Sequence, residues 1–174
     1  MNYYRAEPKS RKDLREIVQL IRKSLGIENM LRVPIVHLLD IFCEVFDNFS
    51  YEIVPDEDME NGKHAETDIL TGHIKIRESV YNGACEGKGR DRMTIAHEFA
   101  HFILICVLGL KLTRCYGKNN KPYTDPEWQA MCFAGEFMID YNLTRNMTPK
   151  EISQLCGVSL KAARYQVKHR DNKK

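Results

Sequence analysis

The stretch Arg92-Met93-Thr94-Ile95-Ala96-His97-Glu98-Phe99-Ala100-His101-Phe102-Ile103-Leu104 decides how this chain is read. It lies in the middle of a strongly apolar run, Met93 to Leu108, whose length and pattern predict one long buried helix. The few polar residues of that run include His97, Glu98 and His101. On a helix, residues four apart stand one above the other, so both imidazoles can reach one metal ion from one face. Glu98 is turned by about 100° from His97 and would flank that ion. Water activated by such an ion has its pKa lowered from 15.7 to about 7, and an adjacent carboxylate can take its proton as it attacks a peptide carbonyl. A pair of histidines satisfied by hydrogen bonds inside a packed helix is the competing account.

A catalytic zinc takes three protein ligands and a water, so one ligand remains to be found. No third histidine follows on an adjacent turn; His169, the only later one, lies towards the basic tail. A carboxylate is therefore expected. Asp125-Pro126 reads as an N-cap followed by proline at the first helical position, opening a helix to about Asp140. Glu127 lies at its start, with Ala130, Met131 and Ala134 on the same side to permit close packing. Glu136 is the second candidate, on a different face, where it could equally be a solvated charge.

Around these helices the periodicity changes several times. Ser10 and Asp13 resemble a helix start, and Leu14, Ile17, Val18, Ile21 and Leu25 recur at helical spacing until Gly26. Pro34 opens a second helix, with Ile35, Leu38, Leu39, Phe42 and Phe46 as its stripe; His37 on it reads as an ordinary surface or core-edge histidine. Phe49, Tyr51 and Ile53 alternate, as do residues His73 to Arg77, with Thr67 to Leu70 as a possible third strand, which predicts a small, mostly antiparallel sheet. Gly83, Gly87 and Gly89 suggest a mobile loop between Asn82 and Arg92, and their spacing matches no nucleotide-binding motif. Thr113 to Thr124 reads as another loop. Thr148-Pro149 opens a helix through Leu155, Gly157 makes a turn, and Ser159 caps a last helix containing Ala162, Ala163 and Val167.

The 174 residues suffice for one ordinary domain with an apolar core and a small appendage. We expect a metal-binding part over residues 1–146 and a helix-turn-helix-like segment with a basic tail over 147–174, packed on it. A formal charge of +2 creates no field that demands nucleic acid or a membrane surface. The N-terminus has no apolar signal core, and Phe102 to Leu110 is too short to span a bilayer, so a cytoplasmic protein without membrane attachment is expected. The six cysteines form no C-x-x-C pair; Cys43, Cys106 and Cys132 fall in apolar helical patterns, which predicts reduced, structural thiols.

The quoted stretch, together with Glu127-Trp128-Gln129-Ala130-Met131-Cys132-Phe133-Ala134-Gly135-Glu136-Phe137-Met138, resembles the ImmA/IrrE family of metallo-endopeptidases. The strand Ile74-Lys75-Ile76 and the turn and helix Gly157 to Ala163 are similar to family features, so the resemblance runs from about Tyr51. It implies an α+β fold with a zincin-like helical core, Zn2+ as cofactor, His97 and His101 as zinc ligands, Glu98 as the catalytic carboxylate and Glu127 as the third ligand. It also implies a protein substrate: a helix-turn-helix transcriptional repressor whose cleavage lifts repression in a mobile element, prophage or stress locus. Two positions depart from the family pattern. Ile139-Asp140 stands where a proline is frequent, and Met131 where an asparagine is common; both touch helix packing more than ligand chemistry.

Two other functions are compatible with these residues. Lys161, Arg164, Lys168, Arg170, Lys173 and Lys174 face only Asp171 in the last segment, which suits direct DNA binding through the helix-turn-helix. A metal-stabilised protein that sequesters its repressor without cutting it would need the metal but not Glu98. Cys85 is a remote candidate for a fourth, inhibitory ligand, and Tyr116 and Tyr123, between the two ligand-bearing helices, are candidates for stabilising an oxyanion.

Overall fold

The computed structural model describes residues 3–115 and 121–171, and its elements follow largely from local signals. Helix α1, Arg11–Ser24, begins with a reciprocal cap in which Ser10 Oγ accepts from the Asp13 amide while the Asp13 carboxylate accepts from the Ser10 amide. Helix α2, Ile35–Val45, starts after Pro34 and buries Ile35, Leu38, Leu39 and Phe42. Next come strands β2 (Ser50–Val54), β3 (Ala65–Asp68) and β4 (His73–Arg77), following the N-terminal strand β1 (Tyr3–Ala6). Helices α3 (Glu78–Cys85) and α4 (Gly89–His101) lead into a π-helical turn, Phe102–Val107, and strand β5 (Leu112–Cys115). Helix α5 is Pro126–Met138, α6 Tyr141–Thr144, α7 Pro149–Cys156 and α8 Leu160–His169.

The result is a mostly helical α+β fold, and its three-stranded sheet corrects one expectation. Its order is β2-β4-β3; β3 pairs with β4 antiparallel, but β2 pairs with β4 parallel, Tyr51 opposite Ile74 and Ile53 opposite Ile76. Alternation of apolar residues reports a half-buried strand and carries no information on the direction of its neighbour. The β3–β4 hairpin turns at Gly72, where φ is +74° and an added Cβ would strike the Asn48 carbonyl oxygen. A second sheet joins β1 to β5 antiparallel, Tyr3 opposite Cys115 and Ala6 opposite Leu112, within a segment expected to be loop.

The glycine-containing segment before α4 is also more ordered than its composition predicts. Gly83 lies inside α3, where an added Cβ would fall 2.0 Å from an Asp91 carboxylate oxygen. That glycine marks the close approach of α3 to α4 and not a turn, leaving Glu86, Gly87 and Lys88 as the link.

The core-facing side of α4 is clearly marked off from the side that carries His97 and His101. Ile95, Ala96, Phe99 and Ala100 are buried, and Phe99 packs edge-on against Phe42 (centroids 4.5 Å apart) and at a tilt against Phe137 of α5 (5.8 Å). Phe102 extends the aromatic cluster to Phe49 at 4.6 Å. The C-terminal helices are tied to α4 through Arg92, which is almost wholly buried and donates to the carbonyls of Gly157 (2.8 Å) and Val33 (2.7 Å). Among the described residues no helix is long and apolar enough to cross a membrane. None of the six cysteines is in a disulfide; Cys132 and Cys156 are buried, and burial pushes their thiols up to about 12 and about 11. Cys43, expected in the core, is exposed on α2.

Candidate metal centre

His97 and His101 leave α4 one turn apart on the side opposite Phe99, and their Nε2 atoms are 3.2 Å from one another. Asp125 caps α5 by accepting from the Glu127 amide, which fixes the start of that helix beside α4. From there the Glu127 carboxylate lies 3.2 Å from His97 Nε2 through Oε2 and 3.4 Å from His101 Nε2 through Oε1. Among the described residues these three form the only group of histidine, cysteine and carboxylate side chains close enough together to hold a metal ion. Cys85 does not belong to it.

The spacing suits a bound cation. Ligand atoms bound tetrahedrally at the usual ~2.0–2.1 Å lie ~3.3 Å from each other, close to the distances found here. Two imidazole nitrogens face one another, an arrangement that one shared proton satisfies for a single pair at a time and that one cation satisfies for all three groups. The electrostatics point the same way. Burial opposes charging of His97, but the hydrogen bond to Glu127 and the charges of Glu98 and Glu127 outweigh it and raise its pKa. Hydrogen bonds from His101 and His97 hold the Glu127 carboxyl well below the usual carboxylate range.

Glu98 stands beside this group and is held by a residue that sequence reasoning overlooked. Thr67 Oγ1 on β3 donates to Glu98 Oε2 at 2.7 Å and also lies 3.1 Å from the Glu98 carbonyl oxygen. No motif announces Thr67; it is within reach because β3 is the edge strand that packs along α4. The three site residues and Glu98 open into a cleft of about 570 Å³, bounded by Ala65, Glu66 and Thr67 of β3 and by Tyr4 and Leu112 of the second sheet. The cleft continues over β3 and β4 as a wider groove.

The chain belongs to the IrrE N-terminal-like domain family. The family's sequence pattern matches residues 56–168, which include Thr67, His97, Glu98, His101 and Glu127. A search of the curated proteins finds no match to the chain. Membership in this metallopeptidase family implies a metal, in agreement with the His97, His101 and Glu127 group.

The other sequence candidates fall elsewhere. Glu136 is not solvated: its side chain is 1% exposed and is bonded to Arg11 (2.9 Å), Arg15 (2.7 Å) and Gln166 (2.7 Å). Tyr123 is exposed, and its backbone carbonyl accepts from Lys9 and Gln129; the tyrosine that lines the cleft, among the described residues, is Tyr4. Tyr116, Lys173 and Lys174 lie outside the described residues. On α8, Arg164 and Lys168 are exposed, whereas Arg170 donates to the Thr144 carbonyl and its own carbonyl accepts from Arg15.

Proposed function

We propose that this protein is a zinc-dependent endopeptidase that cleaves a partner protein, a helix-turn-helix repressor being the partner that the family resemblance implies. The observation that carries the reading is the convergence of two imidazole nitrogens and one carboxylate at 3.2–3.4 Å beside a separately held glutamate in an open cleft. His97, His101 and Glu127 would hold the ion. Zinc in such a set supplies Lewis acidity, which activates water and polarises the carbonyl to be attacked.

The chain's own groups account for the rest. Glu98 accepts a proton from the attacking water and returns it to the leaving amine nitrogen. Thr67 donates to Oε2, which leaves Oε1 as the oxygen to carry that proton. The exposed edge of β3 offers unpaired backbone groups along the cleft, so an extended substrate segment can add as a further strand and bring one peptide bond to the centre. A folded helix would not fit that edge.

Glu98→Gln tests the reading against repressor sequestration, the activity of a non-catalytic member. It preserves size and one acceptor oxygen but cannot take the proton. Zinc content should stay at the wild-type level, while cleavage of a co-expressed helix-turn-helix repressor should fall by about 10² to 10⁴. Equal derepression by wild type and variant, with fragments from neither, would overturn the peptidase reading.

A further inference from the structure

His97 borders two cavities. One is the cleft described above; the other, about 380 Å³, lies between α4, α5 and α8 and is lined by Met93, Thr94, Met131, Ala134 and Ala162 in addition to His97. Small residues keep it open. Ala134 and Gly135 form its floor, and a Cβ added at Gly135 would come 2.9 Å from Gln166 Oε1. Two apolar side chains at the cavity remain substantially in solvent, Met131 at 50% and Tyr165 at 40% exposure. Arg90 and Lys161 also line it, and among the described residues no carboxylate does.

We propose that this cavity is the pocket that selects the substrate's side chain, taking a leucine, methionine or phenylalanine at a residue flanking the scissile bond. The inference rests on the peptidase reading and goes beyond it by naming what the substrate must present. His97 is the one side chain, among the described residues, that lines both the metal cleft and this cavity, so a substrate side chain next to the reacting bond would enter the cavity beside that imidazole. The volume accommodates one large apolar side chain and excludes none of that class. The two cations favour an acidic residue beside the apolar one. The pocket also gives α8 a part in substrate choice, since Ala162 and Tyr165 form its outer wall.

Zinc-loaded full-length protein would be titrated calorimetrically with the N-acetyl hydroxamates of glycine, leucine and phenylalanine, which all carry the same metal-chelating group. Burial of the side chain should make the leucine and phenylalanine compounds about tenfold or more tighter than the glycine one. In protein labelled with ¹³C at its methionine methyls, the Met93 and Met131 signals should shift with the leucine compound while Met30 and Met59 stay in place. Ala162→Phe, which fills the cavity, should remove the preference and leave glycine hydroxamate binding unchanged. Met131→Ala, at an exposed position that does not support the core, should weaken the leucine compound alone. Equal affinity for all three compounds, with unmoved Met93 and Met131 signals, would overturn the pocket and leave the metal centre standing. Failure of every hydroxamate to bind would overturn both.

Discussion

Glu127 and Glu136 are nine positions apart on α5, and at about 100° per residue that places them on opposite faces. One carboxylate stands 70% exposed at the cleft beside two imidazoles; the other is buried between two guanidinium groups. Their removal should therefore have opposite consequences. Glu127→Ala should lose the metal and the stability that the metal adds, but compared metal-free it should lose little, because the carboxylate is largely in solvent in the folded protein. Glu136→Ala should keep the metal but lose roughly 3–5 kcal/mol of stability, since Arg11 and Arg15 stay buried without their counter-charge. Metal analysis and thermal melting of both variants check this, and loss of metal from Glu136→Ala alone would reverse the assignment. Thr67→Val is the subtler test. It should retain metal and fold yet slow cleavage about tenfold or more, because Glu98 loses a charge-assisted hydrogen bond that fixes its position. His97, Glu98, His101 and Glu127 were legible in the sequence because helical spacing is local. Thr67 was not: its 31-residue separation from Glu98 is bridged only by the placement of an edge strand.

At the scale of elements, capped helices were the most readable parts. The Ser10–Asp13 and Thr148–Glu151 boxes and the Asp125-Pro126 start all act within one turn of chain, so sequence and structure agree there. Strands β1 and β5 are four residues each and exist through pairing with one another across more than a hundred residues, which no local pattern reports. The metal helix was read as one uniform run, but the ladder widens directly after His101, with the Leu108 amide bonding the Ile103 carbonyl five residues back. Such π turns are frequent at functional sites. The glycines misled for a physical reason: Gly83 and Gly89 mark close approaches between elements. A Cβ at Gly89 would lie 2.3 Å from the Val158 backbone carbon and 2.4 Å from the Ser159 amide nitrogen, neither of which is a flexible side-chain end. Gly89→Ala should therefore push the α7–α8 turn away from α4 and cost about 1–3 kcal/mol, comparable to overpacking a core. A melting temperature equal to wild type would mean that this contact is slack.

For the molecule as a whole, stability and metal binding should be linked through pH. Consider the metal-free protein first. Glu127 has a folded pKa below its ordinary 4.5, so its contribution is present above that value and is lost as pH falls through the lowered folded pKa. His97 has a folded pKa above its ordinary 6.5, so its contribution is complete below 6.5 and is lost as pH rises through the folded value. The site's own charges therefore favour the metal-free fold between about pH 4.5 and 6.5, weakly because Glu127 is largely in solvent, and cease to do so at higher pH. Metal binding has the opposite slope, since imidazoles must be deprotonated before they can bind a cation. Metal that binds only the folded state adds stability by mass action, about 2.7 kcal/mol at a hundredfold excess over its dissociation constant. The melting temperature in zinc minus that in chelator should therefore be small at pH 5.5 and grow to several degrees by pH 8. His97→Ala and His101→Ala should flatten the difference at every pH. A wild-type difference that is independent of pH, or one that both variants retain, would place the stabilising metal on other ligands.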